Sequence, residues 1–146
     1  MKTSRRDFLK VAAASVASTQ LVGAAQAPSF ISGQSAMKLG IVTYNIAKDW
    51  DVPTIIKNCT ETKFQGVELR TSHKHGVEVN LTKEQRAEVK KRFKDSPVEL
   101  MGLGSAFDFH TPDQAKLRAD IAATKEYIVL AQDVGATGVK VRPNGL

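Results

Sequence analysis

Cysteine is almost missing from this chain. A single Cys59 in 146 residues excludes an internal disulfide and any CxxC metal or redox motif. No GxGxxG and no GxxxxGK(S/T) occurs, so the dinucleotide and phosphate loops of two common α/β classes are absent. No apolar run reaches the ~20 residues that a membrane span needs. The nearest stretch, Val11 to Ala25, is interrupted by Ser15, Ser18, Thr19 and Gln20. A strong excess of one charge is missing too. The formal charge is +6, but residues 1–27 carry Lys2, Arg5, Arg6 and Lys10 against Asp7, which leaves only +3 for the rest. That is too little to argue for a nucleic-acid surface. What is present, 42% hydrophobic and 25% charged residues, is the ordinary composition of one globular domain or less.

Ser4-Arg5-Arg6-Asp7-Phe8-Leu9-Lys10 matches a twin-arginine export signal, and Ala25-Gln26-Ala27 has the small-x-small pattern of a signal-peptidase site. A signal peptide is therefore expected over 1–27, a Ser/Gly/Gln-rich linker over 28–37, and the folded part over 38–146. The expected location is periplasmic, without a stable membrane anchor.

From Lys38 onward, strand and helix patterns alternate. β-branched and aromatic content predicts strands at Lys38–Asn45, from Gly66, at Val98–Ser105 and at Gly138–Pro143. Between them, Asp51-Val52-Pro53 starts a helix to about Phe64, with Val52, Ile55, Ile56 and Cys59 on one face. Cys59 reads there as a small core residue. Thr82 and Gln85 form a capping box for a helix to about Lys94, with Val89 and Phe93 inward. Thr111-Pro112-Asp113-Gln114 opens a longer helix to about Val134, with Leu117, Ile121, Ile128 and Ala131 along one side and Gly135 as its stop. The order β-α-β-α-β-α-β implies a parallel sheet with right-handed crossovers. A closed (β/α)8 barrel needs eight such units, so the expected fold is a partial TIM barrel of about four βα units, preceded by a signal peptide.

The strand Gly66-Val67-Glu68-Leu69-Arg70 carries the functional argument. Alternation puts Val67 and Leu69 on one face and Glu68 and Arg70 on the other. Val139, Lys140, Val141 and Arg142 repeat that parity. A parallel strand covered on both sides should be apolar on both, so the charged faces are expected to look into a polar hollow. The candidate substrate-binding residues are Glu68, Arg70, His73, His75, Asp108, His110, Lys140 and Arg142, all at predicted strand ends. Each has a plainer reading. Glu68 and Arg70 read equally as an ion pair in the wall, and Lys140 and Arg142 as charges held by Glu68 or Glu99. Asp108 and His110 read as a polar loop before the helix. His73 and His75, if extended, present both rings on one side, where they would share a metal or bind substrate hydroxyls.

From Lys38 on, the chain resembles the exported members of the sugar phosphate isomerase/epimerase family, which fold as xylose-isomerase-like TIM barrels. The resemblance rests on the series Leu39-Gly40-Ile41-Val42-Thr43-Tyr44, Gly66–Arg70 with His73-x-His75, Val98–Ser105, and Ala131-Gln132-Asp133-Val134-Gly135-Ala136 leading to Val139-Lys140-Val141. It implies an enzyme that uses a divalent metal (Mn, Mg, Co or Zn) to move a proton between adjacent carbons of a sugar or polyol. It also places the metal ligands on strands five to eight. The ligands and catalytic bases are then expected outside this chain, and the chain alone is expected to be an inactive fragment. The competing functions are a non-catalytic periplasmic sugar-binding barrel and an apurinic-endonuclease-like metal hydrolase. The export signal and mild charge argue against nucleic acid as a partner. An open half-barrel has two unpaired edges, so self-association into a homo-oligomer is expected.

Overall fold

A computed structural model of the chain describes residues 37–143. The expected signal peptide, and all of the expected linker except Met37, lie outside the described residues.

The element order is β1 (Gly40–Val42), α1 (Val52–Glu61), β2 (Gly66–Arg70), α2 (Lys83–Lys94), β3 (Glu99–Asp108), α3 (Gln114–Val134) and β4 (Val139–Arg142). The strands form one sheet in the order β1-β2-β3-β4. Every neighbouring pair is parallel. These are four consecutive strands of a parallel barrel wall, with β1 and β4 at its edges.

Local chemistry explains the helix starts. Asp51 caps α1 by accepting from the Thr54 N–H at 2.9 Å. Thr82 and Gln85 form the full capping box of α2. For α3 the cap is Asp113, whose carboxylate accepts from the Ala115 and Lys116 N–H groups. Pro112 thus precedes the cap and does not occupy the first helical position. Gly135 ends α3 in the left-handed conformation, φ 81°, which only glycine adopts without cost.

The core lies between the helices and one face of the sheet. Val67 and Leu69 of β2 and Leu100 and Leu103 of β3 pack with Ile55, Cys59, Val89, Phe93, Leu130 and Val134. Cys59 is 1% exposed, and burial raises its thiol pKa, as suits a packing residue. The opposite face stays open: Val42 is 40% and Met101 41% exposed.

Three departures from the sequence pattern have physical causes. β1 is shorter than expected. Beyond Val42, the hydroxyl of Thr43 takes the Arg70 N–H at 3.0 Å in place of further strand pairing. β3 is longer and bulged: Val67 pairs with Leu100 but Glu68 with Gly102, leaving Met101 as the extra residue. Its side chain lies across Gly40 and Gly66, with the sulfur where a Cβ on either glycine would sit. The third departure is the buried face of α3. Of the residues read along one side, Ile121 and Ile128 are 37% and 54% exposed and Ala131 is buried, together with Thr124, Tyr127, Leu130 and Val134. α3 carries apolar residues on more than one side, and the Tyr127 ring decides its rotation. It stacks edge-on against Phe107 at 5.4 Å, and its hydroxyl reaches Glu78.

This rotation makes a stability prediction. Leu130→Ala empties a fully buried site and should cost about 2–5 kcal/mol. Ile128→Ala should stay within about 0.5 kcal/mol of the parent. Urea unfolding of both variants checks the order, and equal losses would contradict the observed face.

Candidate functional site

The open face of the sheet carries one parity of side chains. Glu68 pairs in register with Gly102, Arg70 with Gly104, and Gly104 with Lys140. Glu68 and Lys140 therefore share a side, and Lys140 Nζ donates to Glu68 Oε1 across β3. The carboxylate fits because Gly104 lies beneath it, and a Cβ there would collide with Glu68 Oε1. So Glu68 pairs with Lys140 rather than with Arg70, and Glu99 pairs with Lys38.

Arg70 instead lays its guanidinium over the Tyr44 ring, 4.5 Å from the centroid. A cation over an aromatic face is attracted by the ring quadrupole, so Tyr44 holds the guanidinium in place. Arg142 ends β4 opposite Asp108 in register, and its side chain has no partner among the described residues.

Asp108 is the last residue of β3 rather than part of the loop beyond it. Its carboxylate accepts from the His110 N–H at 3.2 Å and pairs with His110 Nδ1. Its own N–H is taken by Asp120 at 2.8 Å. With Nδ1 as donor, a neutral His110 keeps its lone pair on Nε2, the arrangement of a carboxylate-oriented base. The same contacts order the turn before α3.

The histidines after β2 are unlike each other. His75 is 8% exposed. Its Nε2 donates to the Arg70 carbonyl at 2.8 Å, and its Nδ1 accepts from the Val77 N–H at 3.0 Å. Both nitrogens are consumed by backbone, so His75 holds the loop and has nothing left for substrate or metal. This corrects its inclusion among the candidate ligand-binding residues. The expectation that the two rings present themselves together is corrected as well: they meet edge to face, 6.1 Å apart at 65°. His73 is half-buried, and its Nδ1 meets Thr43 Oγ1 at 2.9 Å. Its Nε2 has no bond among the described residues. Desolvation, then the Arg70 charge, lowers the His73 pKa from the usual 6.5.

Glu78 ties the loop to α3. It accepts from the Ser72 N–H at 2.6 Å and from the Tyr127 hydroxyl. Burial and then this carboxylate push the tyrosine pKa up. Sequence reasoning missed Thr43, Tyr44 and Glu78. The sequence pattern placed Thr43 and Tyr44 inside the strand Lys38–Asn45 and so gave no signal for them, and Glu78 left none.

No three His, Cys, Asp or Glu side chains come together as a metal site among the described residues. The donors present do not fit a metal centre, because His75 has no free nitrogen and Glu68 is engaged by Lys140. No described helix is long and apolar enough to cross a membrane.

Parallel βα units with charged side chains at the C-terminal strand ends define part of a TIM barrel. Comparison with solved structures agrees. The chain superposes on the IolI protein, solved at 1.8 Å with a bound zinc atom, with a TM-score of 0.61 and 16% identity over 74% of this chain. It also superposes on the probable 3-DHS dehydratase AsbF of Bacillus anthracis, involved in petrobactin synthesis, with a TM-score of 0.56 and 17% identity over 72% of this chain. The chain spans 38% of the length of each. No family model and no curated protein matches the sequence.

The buried His75 makes stability depend on pH. Burial lowers its pKa below the ordinary 6.5, outweighing the Arg70 carbonyl and Glu78, which raise it. A histidine with a lowered folded pKa binds fewer protons folded than unfolded. Stability is therefore complete above the unfolded value and falls as pH drops through the folded one. Urea midpoints should decline from about pH 7 to about pH 5. His75→Gln should cost about 1–3 kcal/mol at neutral pH and flatten that decline. An unchanged slope in the variant would assign the decline to other groups.

Proposed function

We propose that this chain supplies the first four βα units of an exported sugar isomerase or epimerase, and that its strand ends form part of the pocket for a sugar or polyol. The observation that supports this most is the common placement of Glu68, Arg70 and Lys140 on the open face of a parallel sheet whose solved neighbours are small-molecule-processing barrels. In the reading, Arg70, His73, Lys140 and Arg142 bind and orient the ligand. Asp108 fixes the His110 ring. Twin-arginine export would place the protein in the periplasm.

The zinc atom in the IolI protein supports a divalent metal for the whole enzyme. None of residues 37–143 is assigned to it, and no step is derived through it. A sugar-binding barrel without catalysis is the second reading.

Charge decides which sugars the mouth should prefer. Lys140 is neutralised by Glu68, whereas Arg70 and Arg142 have no carboxylate partner among the described residues. Guanidinium groups in this state suit a carboxylate or phosphate. Calorimetric titration of the full chain with a neutral polyol, a sugar acid and a sugar phosphate should rank the anionic ligands first. Arg70→Ala and Arg142→Ala should each weaken the anionic ligand by roughly tenfold. No binding by any of the three, or binding indifferent to both arginines, would sink the proposal. Deuterium wash-in from heavy water at a substrate C–H separates enzyme from binder once the complete protein is assayed.

A further inference from the structure

We infer that Thr43 sets the tautomer of His73, so that this ring meets a ligand as a neutral Nε2–H donor and not as a metal ligand. The inference takes His73 as a pocket residue, as in the function proposed above, but its test does not depend on a sugar.

The argument is a count of protons. Thr43 is 0% exposed. Its Oγ1 has two polar neighbours, the Arg70 N–H at 3.0 Å and His73 Nδ1 at 2.9 Å. A backbone N–H only donates, so Oγ1 accepts there. The hydroxyl proton must then go elsewhere, and Nδ1 is the one acceptor bonded to it among the described residues. Were Nδ1 protonated, the Thr43 O–H would be buried without a partner, a penalty that favours the other arrangement by roughly tenfold or more. The proton of a neutral His73 therefore sits on Nε2.

A metal on Nε2 would force the proton onto Nδ1. Metal-bound histidines give that N–H to a carboxylate, a carbonyl or water. The Thr43 hydroxyl is a poor substitute, because it already accepts one bond and would be left with a proton to place. The charges around the ring agree. Arg70 and Lys48 oppose a further positive charge on His73, against Asp49 and Glu78, which favour it, while His75 is held neutral in its own tautomer. Arg70 and His73 thus offer hydrogen-bond donors to the mouth. The matching ligand group is an acceptor oxygen: a carboxylate, a phosphate or a keto oxygen.

His75 is a built-in reference. Its Nε2 faces a carbonyl and its Nδ1 an N–H, so its tautomer is also Nε2–H. The chain has only three histidines, so their ring nitrogens can be resolved. Long-range 1H–15N correlation of the labelled full chain near neutral pH, with His73 assigned through His73→Gln, should give His73 the same Nε2–H pattern as His75. Thr43→Val should shift His73 toward Nδ1–H, and Thr43→Ser should retain the parent pattern. Added zinc chloride should leave the His73 ring nitrogens unmoved. An Nδ1–H pattern in the parent chain, an unchanged tautomer in Thr43→Val, or a zinc-induced Nε2 shift each overturns the inference. Should Thr43→Val fail to fold, the parent pattern and the zinc titration still decide. An Nε2–H pattern in a chain that binds no sugar would overturn the functional proposal and leave this one standing.

Discussion

The Glu68 carboxylate spans three strands. It leaves β2, passes over Gly104 of β3, and receives Lys140 from β4. Its value lies less in energy than in register. Lys140 is 54% exposed at its side chain and Glu68 23%, so the pair contributes modestly. A slip of one residue in β2 or in β4 would carry that strand's charge to the helix-packed side, where Val67 and Leu69 now sit, and leave its partner unpaired. Burying a charge there would cost several kcal/mol. A side chain in place of Gly104 would collide with the carboxylate. The pair and the glycine thus select one alignment of the three strands, and that alignment puts Glu68, Arg70 and Lys140 on the same open face of the sheet.

Much of this was legible because it depends on short-range rules. Alternation in Gly66–Arg70 and Val139–Arg142 identified which residues face the helices, and Asp51 and Thr82 marked two helix starts. What escaped depends on contacts distant in sequence. The rotation of α3 follows from Tyr127 meeting Phe107 and Glu78, and no period within the helix encodes that meeting. The bulge at Met101 needs two glycines on two other strands to make room for its side chain. His73 and His75 look alike in sequence, two apart, yet one backbone turn engages both nitrogens of His75 and leaves Nε2 of His73 open. Thr43 escaped for the same reason: its importance comes from Arg70 and His73, 27 and 30 residues away.

The loop after β2 shows how the mouth can be held without a metal. Ser72 has φ 66°, a left-handed conformation that a non-glycine residue adopts at some cost. Three anchors offset that cost. Glu78 takes the Ser72 N–H, His75 bridges Arg70 and Val77, and the Lys74 N–H reaches the Lys48 carbonyl at 2.9 Å. Tyr127 then fastens Glu78 to α3. His73 is the residue in this loop whose ring is left with an unsatisfied nitrogen, on a backbone fixed from both sides. In the pocket proposed above, a donor positioned in this way would meet a ligand without first being ordered, which removes part of the entropic cost of binding.

The two histidines left with an open nitrogen are complementary. The Thr43 hydroxyl donates to Nδ1 of His73, so the ring proton sits on Nε2, which donates; Asp108 accepts from Nδ1 of His110, so its Nε2 accepts when the ring is neutral. A hydroxyl needs one of each, and a sugar or polyol is a chain of hydroxyls. Arg70 and Arg142 add positive charge that no carboxylate cancels among the described residues. In the function proposed above, a neutral polyol would use the histidine groups, whereas an acidic or phosphorylated sugar would also call on a guanidinium. Electrostatics therefore separates two ligands that hydrogen bonding alone would treat alike.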